Sequence, residues 1–387
     1  MLFNIIRNIG RRALPIRIKK VFEPIVTTYD RRVFQNKLRT SPFALTQGKA
    51  KLNYGNVIPK GPGVIVSGGR VKLLSLNEVY PESGQRFNIL YLVSSALPPF
   101  AVELADWAIS KGVKIVMNQN GVAYPAWADS FSQDKYNTPM KAIIQKSNYV
   151  FYQSEFCRES ADKYLGAVDC PWEIAYNYVD TGVFTPPEKN QSFGEWRLLC
   201  AGNNLRRYRV TSALDTVAEL KKRGCKVHIT IAGGLLWPGS DDPYKDIMEY
   251  MKLLGIEREA KIQLTYTREE ASDIYSNAHL LLHTKYNDPC PNVVIEAMSC
   301  GLPVVGSNSG GMPELVAPGA GILVDVPMDW EKDHAPEVTQ LADAVEKIMN
   351  QRDRYSQNAR ELAIRRFDKA IWLNQHKRVF EDILNVD

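Results

Sequence analysis

The chain has 387 residues, of which 45% are hydrophobic and 24% charged, and a formal net charge of +5. That length exceeds one ordinary core and points to two domains, while the balance of residues excludes fibrous and low-complexity classes. Six scattered cysteines (Cys157, Cys170, Cys200, Cys225, Cys290, Cys300) with no C-x-x-C argue against a zinc site or a disulfide scaffold. No apolar run is long enough to span a bilayer, so a cytoplasmic protein is expected.

Residues 1–45 form a basic extension, with ten basic side chains against two acids, a net +8 that leaves the remainder slightly acidic. Leu2, Phe3, Ile5, Ile6, Ile9 and Phe22 are interleaved with Arg7, Arg11, Arg12, Arg17, Lys19 and Lys20. Such a segment suits an anionic membrane surface, to which each basic residue contributes about 1 kcal/mol. The other reading is a helical extension packed on the first domain. Pro15 interrupts the pattern, and no nucleic-acid-binding module is present.

Residues 46–190 read as a first α/β domain. A strand at Val64-Ile65-Val66 leads through Gly68-Gly69 into a helix over 71–80, and the glycines permit close approach of a ligand or a neighbouring backbone. Buried strands follow at 88–93 and 113–117, with a helix over 100–111 between them. The second strand ends in Asn118-Gln119-Asn120-Gly121, a polar cap where open α/β sheets place ligands. Tyr149–Ser154 is a further strand, and Lys189-Asn190-Gln191-Ser192 ends the linker to the next domain.

Residues 191–365 read as a second α/β domain. Trp196–Gly202 is its first strand, followed by Asn203, Arg206, Arg207 and Arg209 and a helix to Arg223. Strands are expected at 228–232, 261–264, 279–283 and 321–324, and Thr265 or Thr267 caps a helix over 268–276. His283 is read as a strand-end histidine without chemistry.

The most informative stretch is 287–316, NDPCPNVVIEAMSCGLPVVGSNSGGMPELV. Pro289 and Pro291 exclude helix before Asn292, which reads as the N-cap, and Gly301 ends the helix. A strand over 302–305 and a Ser-Asn-Ser-Gly-Gly turn follow. Glu314, beside Pro313, reads as complementing the start of the next helix. Free N–H groups at 292–294 suit a phosphate, and Asp288 and Glu296, eight positions apart, suit sugar hydroxyls on one ligand. A sugar nucleotide fits that combination.

This stretch resembles the donor-site signature of family 4 glycosyltransferases, retaining enzymes of the GT-B fold. The run Glu296-Ala297-Met298-Ser299-Cys300-Gly301-Leu302-Pro303-Val304-Val305 carries the resemblance, and Asp288 stands where the family has a first glutamate. The resemblance implies two Rossmann-like domains facing across a cleft, with residues 366–387 as a helix crossing back onto the first domain. It implies a nucleotide diphosphate sugar as donor, with no metal or other cofactor.

By the same resemblance, Glu296 holds the ribose, Asp288 the sugar ring, and Tyr266 packs beside the base. Gly202, Asn203, Pro291, Asn292 and Val293 line the donor site. Asn203 takes the place of a family arginine and Arg209 that of a lysine, with Arg206 or Arg207 assisting at the diphosphate. Gly68 and Gly69 lie on the acceptor side. A first-domain histidine is missing, and Asn118 and Asn120 are expected to supply its hydrogen bonds. Tyr178 replaces the glycine of a family strand end.

The expected reaction moves a glycosyl group to a hydroxyl of a glycan or lipid-linked acceptor. A catalytically silent glycan-binding relative, a sugar-nucleotide epimerase and a phosphorylase are the alternatives.

Overall fold

A computed structural model describes residues 16–55, 58, 68–187, 194–264 and 266–385. The strand read at Val64–Val66, the linker residues Lys189–Ser192, Thr265 and the first fifteen residues lie outside the described residues. Two parallel sheets organise the chain. The first comprises β2 (Leu52–Asn53), β4 (Ile89–Val93), β5 (Lys114–Gln119), β6 (Tyr149–Tyr152) and β7 (Trp172–Ile174), in that order; a two-stranded pair, β1 (Ala44–Leu45) and β3 (Arg86–Phe87), sits apart. These strands are short apolar runs because helices cover both faces, as a parallel sheet requires.

The second sheet runs β10 (Ala260–Gln263), β9 (Val227–Ala232), β8 (Trp196–Ala201), β11 (Leu280–His283), β12 (Val304–Asn308), β13 (Gly321–Asp325). Strand order reverses between β8 and β11. That switch point opens a crevice at the carboxyl ends of the strands.

A helix over Ser130–Ile144 went unread in the sequence. It is polar, contains Pro139 and buries only Met140, Ile143 and Ile144, so its apolar period is too short to register. Asp129 caps it by accepting from the Ser132 N–H. The strand placed at 302–305 lies at 304–308, in register with β11 and β13. Thr267 is the cap of the helix Arg268–Ser276, in a reciprocal capping box with Glu270.

The helix Ile16–Thr40 begins just past Pro15. Its second half packs on the first domain. Phe34 lies 5.4 Å from Phe100, and Arg31 pairs with Glu103 at 2.6 Å. The last helix, Lys369–Asn385, crosses back to the first sheet, where Trp372, Val379 and Phe380 complete a core with Leu52, Tyr91 and Phe151. His376 lies within it, fully buried, stacked on Phe151 at 4.1 Å. Its Nδ1–H donates to the Trp372 carbonyl at 2.8 Å, so Nε2 accepts from the Tyr91 hydroxyl at 2.9 Å.

Glu314 does not serve its own helix. Its carboxylate accepts from the Glu155 and Phe156 N–H groups, at 2.7 and 3.0 Å, and from the Tyr176 hydroxyl at 3.2 Å. It therefore caps the first-domain helix Glu155–Leu165 from the second domain. Two free N–H groups at a helix start attract a carboxylate more strongly than Glu314's own helix, which is one turn long. Among the described residues no helix is long and apolar enough to cross a membrane.

Candidate active site

A cleft of about 1020 Å³ lies between the two sheets. Its second-domain wall is built mainly from the loops that leave β8, β9 and β11. The loop after β11 carries Asp288. It is pinned by the turn after β12, where the Gly311 N–H donates to the Asp288 carbonyl at 2.9 Å. A Cβ on Gly310 would stand 2.6 Å from the Asp288 carbonyl oxygen, and one on Gly311 2.0 Å from that of Pro289, so the paired glycines let the two backbones touch. Asn287 adopts φ 47°, a left-handed conformation that asparagine tolerates. From the first domain, the Asn177 Nδ2 donates to the Cys290 carbonyl at 2.6 Å.

Asp288 is 7% exposed, and its Oδ2 meets His283 Nε2 and Lys285 Nζ, each at 3.1 Å. Burial alone pushes this carboxyl up, but Lys285, His283 and Arg209 outweigh it and hold Asp288 well below the usual carboxylate range. Burial lowers the His283 pKa, with Asp288 opposing. His283 is thus neutral at neutral pH and donates its Nε2–H to an acceptor-only carboxylate. Sequence reasoning takes His283 as a satisfied strand-end histidine without chemistry and misses Lys285. Both stand within five positions of Asp288, which was the available signal.

Arg209 is 5% exposed and lines the cleft; its Nη1 donates to the Asn203 carbonyl at 2.6 Å, and its buried Nε has no partner among the described residues. Arg206 also lines the cleft. It pairs with Asp333 at 3.2 Å and donates to the first-domain carbonyls of Ala126 and Trp127. Arg207 is a correction. It forms a two-pronged pair with Asp246 above the Tyr250 ring, outside the cleft lining. Two residues along a helix from Arg209, it faces nearly the opposite way.

The cleft lining includes Gly202, Asn203, Pro291, Asn292 and Val293. The N-cap is Pro291, not Asn292: Pro291 is extended at φ −70° and ψ 120°, and its carbonyl accepts from the Val294 N–H at 3.2 Å. Asn292 is the first helical residue, and its buried Oδ1 is unpartnered among the described residues. Glu296, one turn on, lies outside the cleft lining, where it accepts from the Tyr275 hydroxyl at 2.9 Å. Tyr266 is beside it; burial and then Glu296 push its phenol up to about 12.

On the first-domain wall, Gly68 and Asn120 line the cleft. Gly69 does not, being buried under the Ser94–Ala96 turn. Asn118 is also a correction. It is fully buried, and its Oδ1 accepts from Lys72 Nζ at 2.8 Å, so it is not free to meet a sugar. Lys72 itself lines the cleft and escaped the sequence reading. Its signal was a lysine on the apolar stripe Gly69, Leu73, Leu76 of a helix. Tyr178, in the place of a family glycine, donates to Ser75 Oγ at 2.6 Å and packs on Trp372.

Residues 185–362 match the family model described as glycosyl transferases group 1. That match covers the second domain, and by its named relatives the chain is a glycosyltransferase. This glycosyltransferase is 22% identical over 326 residues to N-acetyl-alpha-D-glucosaminyl L-malate synthase of Bacillus anthracis, covering 81% of the chain and 80% of that protein. It is 30% identical over 173 residues to D-inositol 3-phosphate glycosyltransferase of Mycobacteroides abscessus, covering 44% of the chain and 38% of that enzyme.

Among solved structures, Anabaena HepE in complex with UDP aligns over 81% of both chains, with a TM-score of 0.60 and 18% identity. Sucrose-phosphate synthase of Thermosynechococcus elongatus aligns over 89% of both, with a TM-score of 0.63 and 16% identity. The glycosyltransferase has the GT-B fold, two Rossmann-like domains facing across a cleft.

Proposed function

We propose that this enzyme transfers a glycosyl group from a nucleoside diphosphate sugar to a hydroxyl of a glycan or lipid-linked acceptor, with retention and without a metal. The carrying observation is Arg209, whose buried Nε has no partner among the described residues and which lines the switch-point cleft together with the start of the helix Asn292–Ser299. A guanidinium and free helix N–H groups together receive a phosphate.

The departing diphosphate gains negative charge in the transition state. Arg209, assisted by Arg206 and the N–H groups after Pro291, stabilises it there. Asp288 uses Oδ2 for His283 and Lys285, leaving Oδ1 to accept from a hydroxyl of the donor sugar. Glu296 takes the ribose hydroxyls, with Tyr275 orienting its carboxylate and Tyr266 beside the base. The metal-free reading rests on this supply of positive charge. The names of the relatives support a sugar donor, and HepE in complex with UDP makes UDP the first nucleotide to try.

The test is thermal melting of the protein with UDP, GDP, ADP, CDP and dTDP, each with a chelator present. A ligand at about 100 times its dissociation constant stabilises by about 2.7 kcal/mol. A rise in Tm with one nucleotide is expected; no rise with any of them overturns the donor reading.

A further inference from the structure

Among the described residues the first-domain wall of the cleft carries cations and no carboxylate. Its charged residues are Arg70, Lys72 and Lys135. Arg70 and Lys135 are exposed and solvated, whereas Lys72 is 4% exposed. A buried ammonium ordinarily pairs with a carboxylate, because neutral dipoles replace only part of its lost hydration. Among the described residues Lys72 has no such partner. Its Nζ donates to Asn118 Oδ1 at 2.8 Å and to Asn120 Oδ1 at 3.2 Å.

Those amides are themselves fixed. The Asn120 N–H donates to Ser94 Oγ at 2.8 Å and its Nδ2 to Ser95 Oγ at 2.5 Å. An ammonium has three donors, and two are used. The titratable groups around Lys72 are the thiols of Cys157 and Cys290, both pushed up by burial, and His376, which burial keeps neutral. None of them supplies a negative charge at neutral pH.

We propose that Lys72 is the anchor for an anionic group, a phosphate or a carboxylate, of the acceptor. The assignment rests on the glycosyl-transfer reading, in which the donor's phosphates face Arg209 on the opposite wall. Lys72 stands on the acceptor-side wall, positioned by Asn118 and Asn120, and the incoming anion supplies its missing counter-charge. Burial lowers the Lys72 pKa to about 8. A bound anion favours the charged form, so binding is strong below that value and weakens as pH rises through it.

The experiment is calorimetric titration of inorganic phosphate, and separately of succinate, into the full chain. It is run on wild type, Lys72→Met and Lys72→Arg at pH 7 and pH 9.5, with the nucleoside diphosphate that binds held saturating. Methionine keeps the stem and removes a buried unpaired charge, so that variant folds, which its Tm verifies. One of the two anions is expected to bind wild type at pH 7. Lys72→Met should weaken that binding about ten- to hundredfold. Wild type should lose affinity by pH 9.5, and Lys72→Arg should hold it at both pH values.

Failure of wild type to bind either anion, or equal binding by Lys72→Met, overturns the proposal. So does a Lys72→Met variant that loses nucleoside diphosphate affinity but keeps anion binding, which would place the lysine on the donor. If no nucleotide binds, the donor reading falls by itself, and the anion titrations are read on the free protein.

Discussion

Asp288 and Glu296 show how far a spacing rule reaches. Eight positions separate them, and the sequence presents them as equivalent carboxylates. The structure gives them different surroundings, a cationic cluster for Asp288 and a tyrosine hydroxyl for Glu296. Asp288→Asn removes an ionised acceptor beside Lys285 and His283, and a hydrogen bond to a charged group is worth about 1.5–3 kcal/mol. Steady-state kinetics should show kcat/KM lower by about ten- to hundredfold in Asp288→Asn and in Glu296→Gln. Unchanged turnover in both would remove the assigned roles.

His376 makes a separate prediction. Burial lowers its pKa from 6.5 to about 3 in the folded protein. The unfolded chain therefore binds a proton below about pH 6.5 that the folded chain refuses, so stability is lost as pH falls from there toward 3. The contribution is about 1.4 kcal/mol per pH unit within that window. Denaturant unfolding at pH 7 and pH 5 should show this slope in wild type, and His376→Gln should flatten it while lowering stability at pH 7.

Lys72 marks what the residue scale hides. Its partners lie 46 and 48 positions away, so no local pattern announces the contact.

At the scale of elements, the buried strands were legible because parallel sheets are written as continuous apolar runs. Their alternation with helices reads as two α/β domains, and the GT-B arrangement is implied by the resemblance of one stretch. Helix starts were less legible. Asn292 has better capping chemistry than Pro291, yet proline's fixed φ and the extended entry decide the boundary. The amide is left for the cleft.

The N-terminal extension has two parts as well. Phe34 and Arg31 tie its second half to the protein, whereas residues 1–15 bring Arg7, Arg11 and Arg12 with several large apolar side chains. A chain lacking residues 1–15 keeps the packed half. It should fold as wild type does and sediment less with vesicles of anionic lipid at low salt. Equal sedimentation would exclude the membrane reading of this segment.

Across the whole molecule, the two domains are joined by specific polar contacts. Glu314 caps a helix of the other domain. Arg206 reaches the Ala126 and Trp127 carbonyls, and the Ala126 N–H donates to the Trp330 carbonyl. Trp330 also stacks on Phe156 at 5.1 Å. None of these pairings was legible, because each joins positions more than seventy residues apart whose local chemistry looks like ordinary surface. Glu314→Gln keeps the shape but replaces an ionised acceptor of two N–H groups. It should cost about 1–2 kcal/mol in denaturant unfolding and increase the radius of gyration in X-ray scattering. An unchanged profile in both measurements would show that Glu314 does not hold the domains together.

The returning helix Lys369–Asn385 bears on synthesis. The face of the first sheet that holds Leu52, Tyr91 and Phe151 is closed by Trp372, Val379 and Phe380. A ribosome adding about 5–20 residues per second makes those last side chains many seconds after the strands they cover. Until then the first half of the chain carries an open apolar face, and a product broken off early never closes it. A fragment that stops short of Trp372 therefore keeps that face exposed, which marks it for chaperones and proteases.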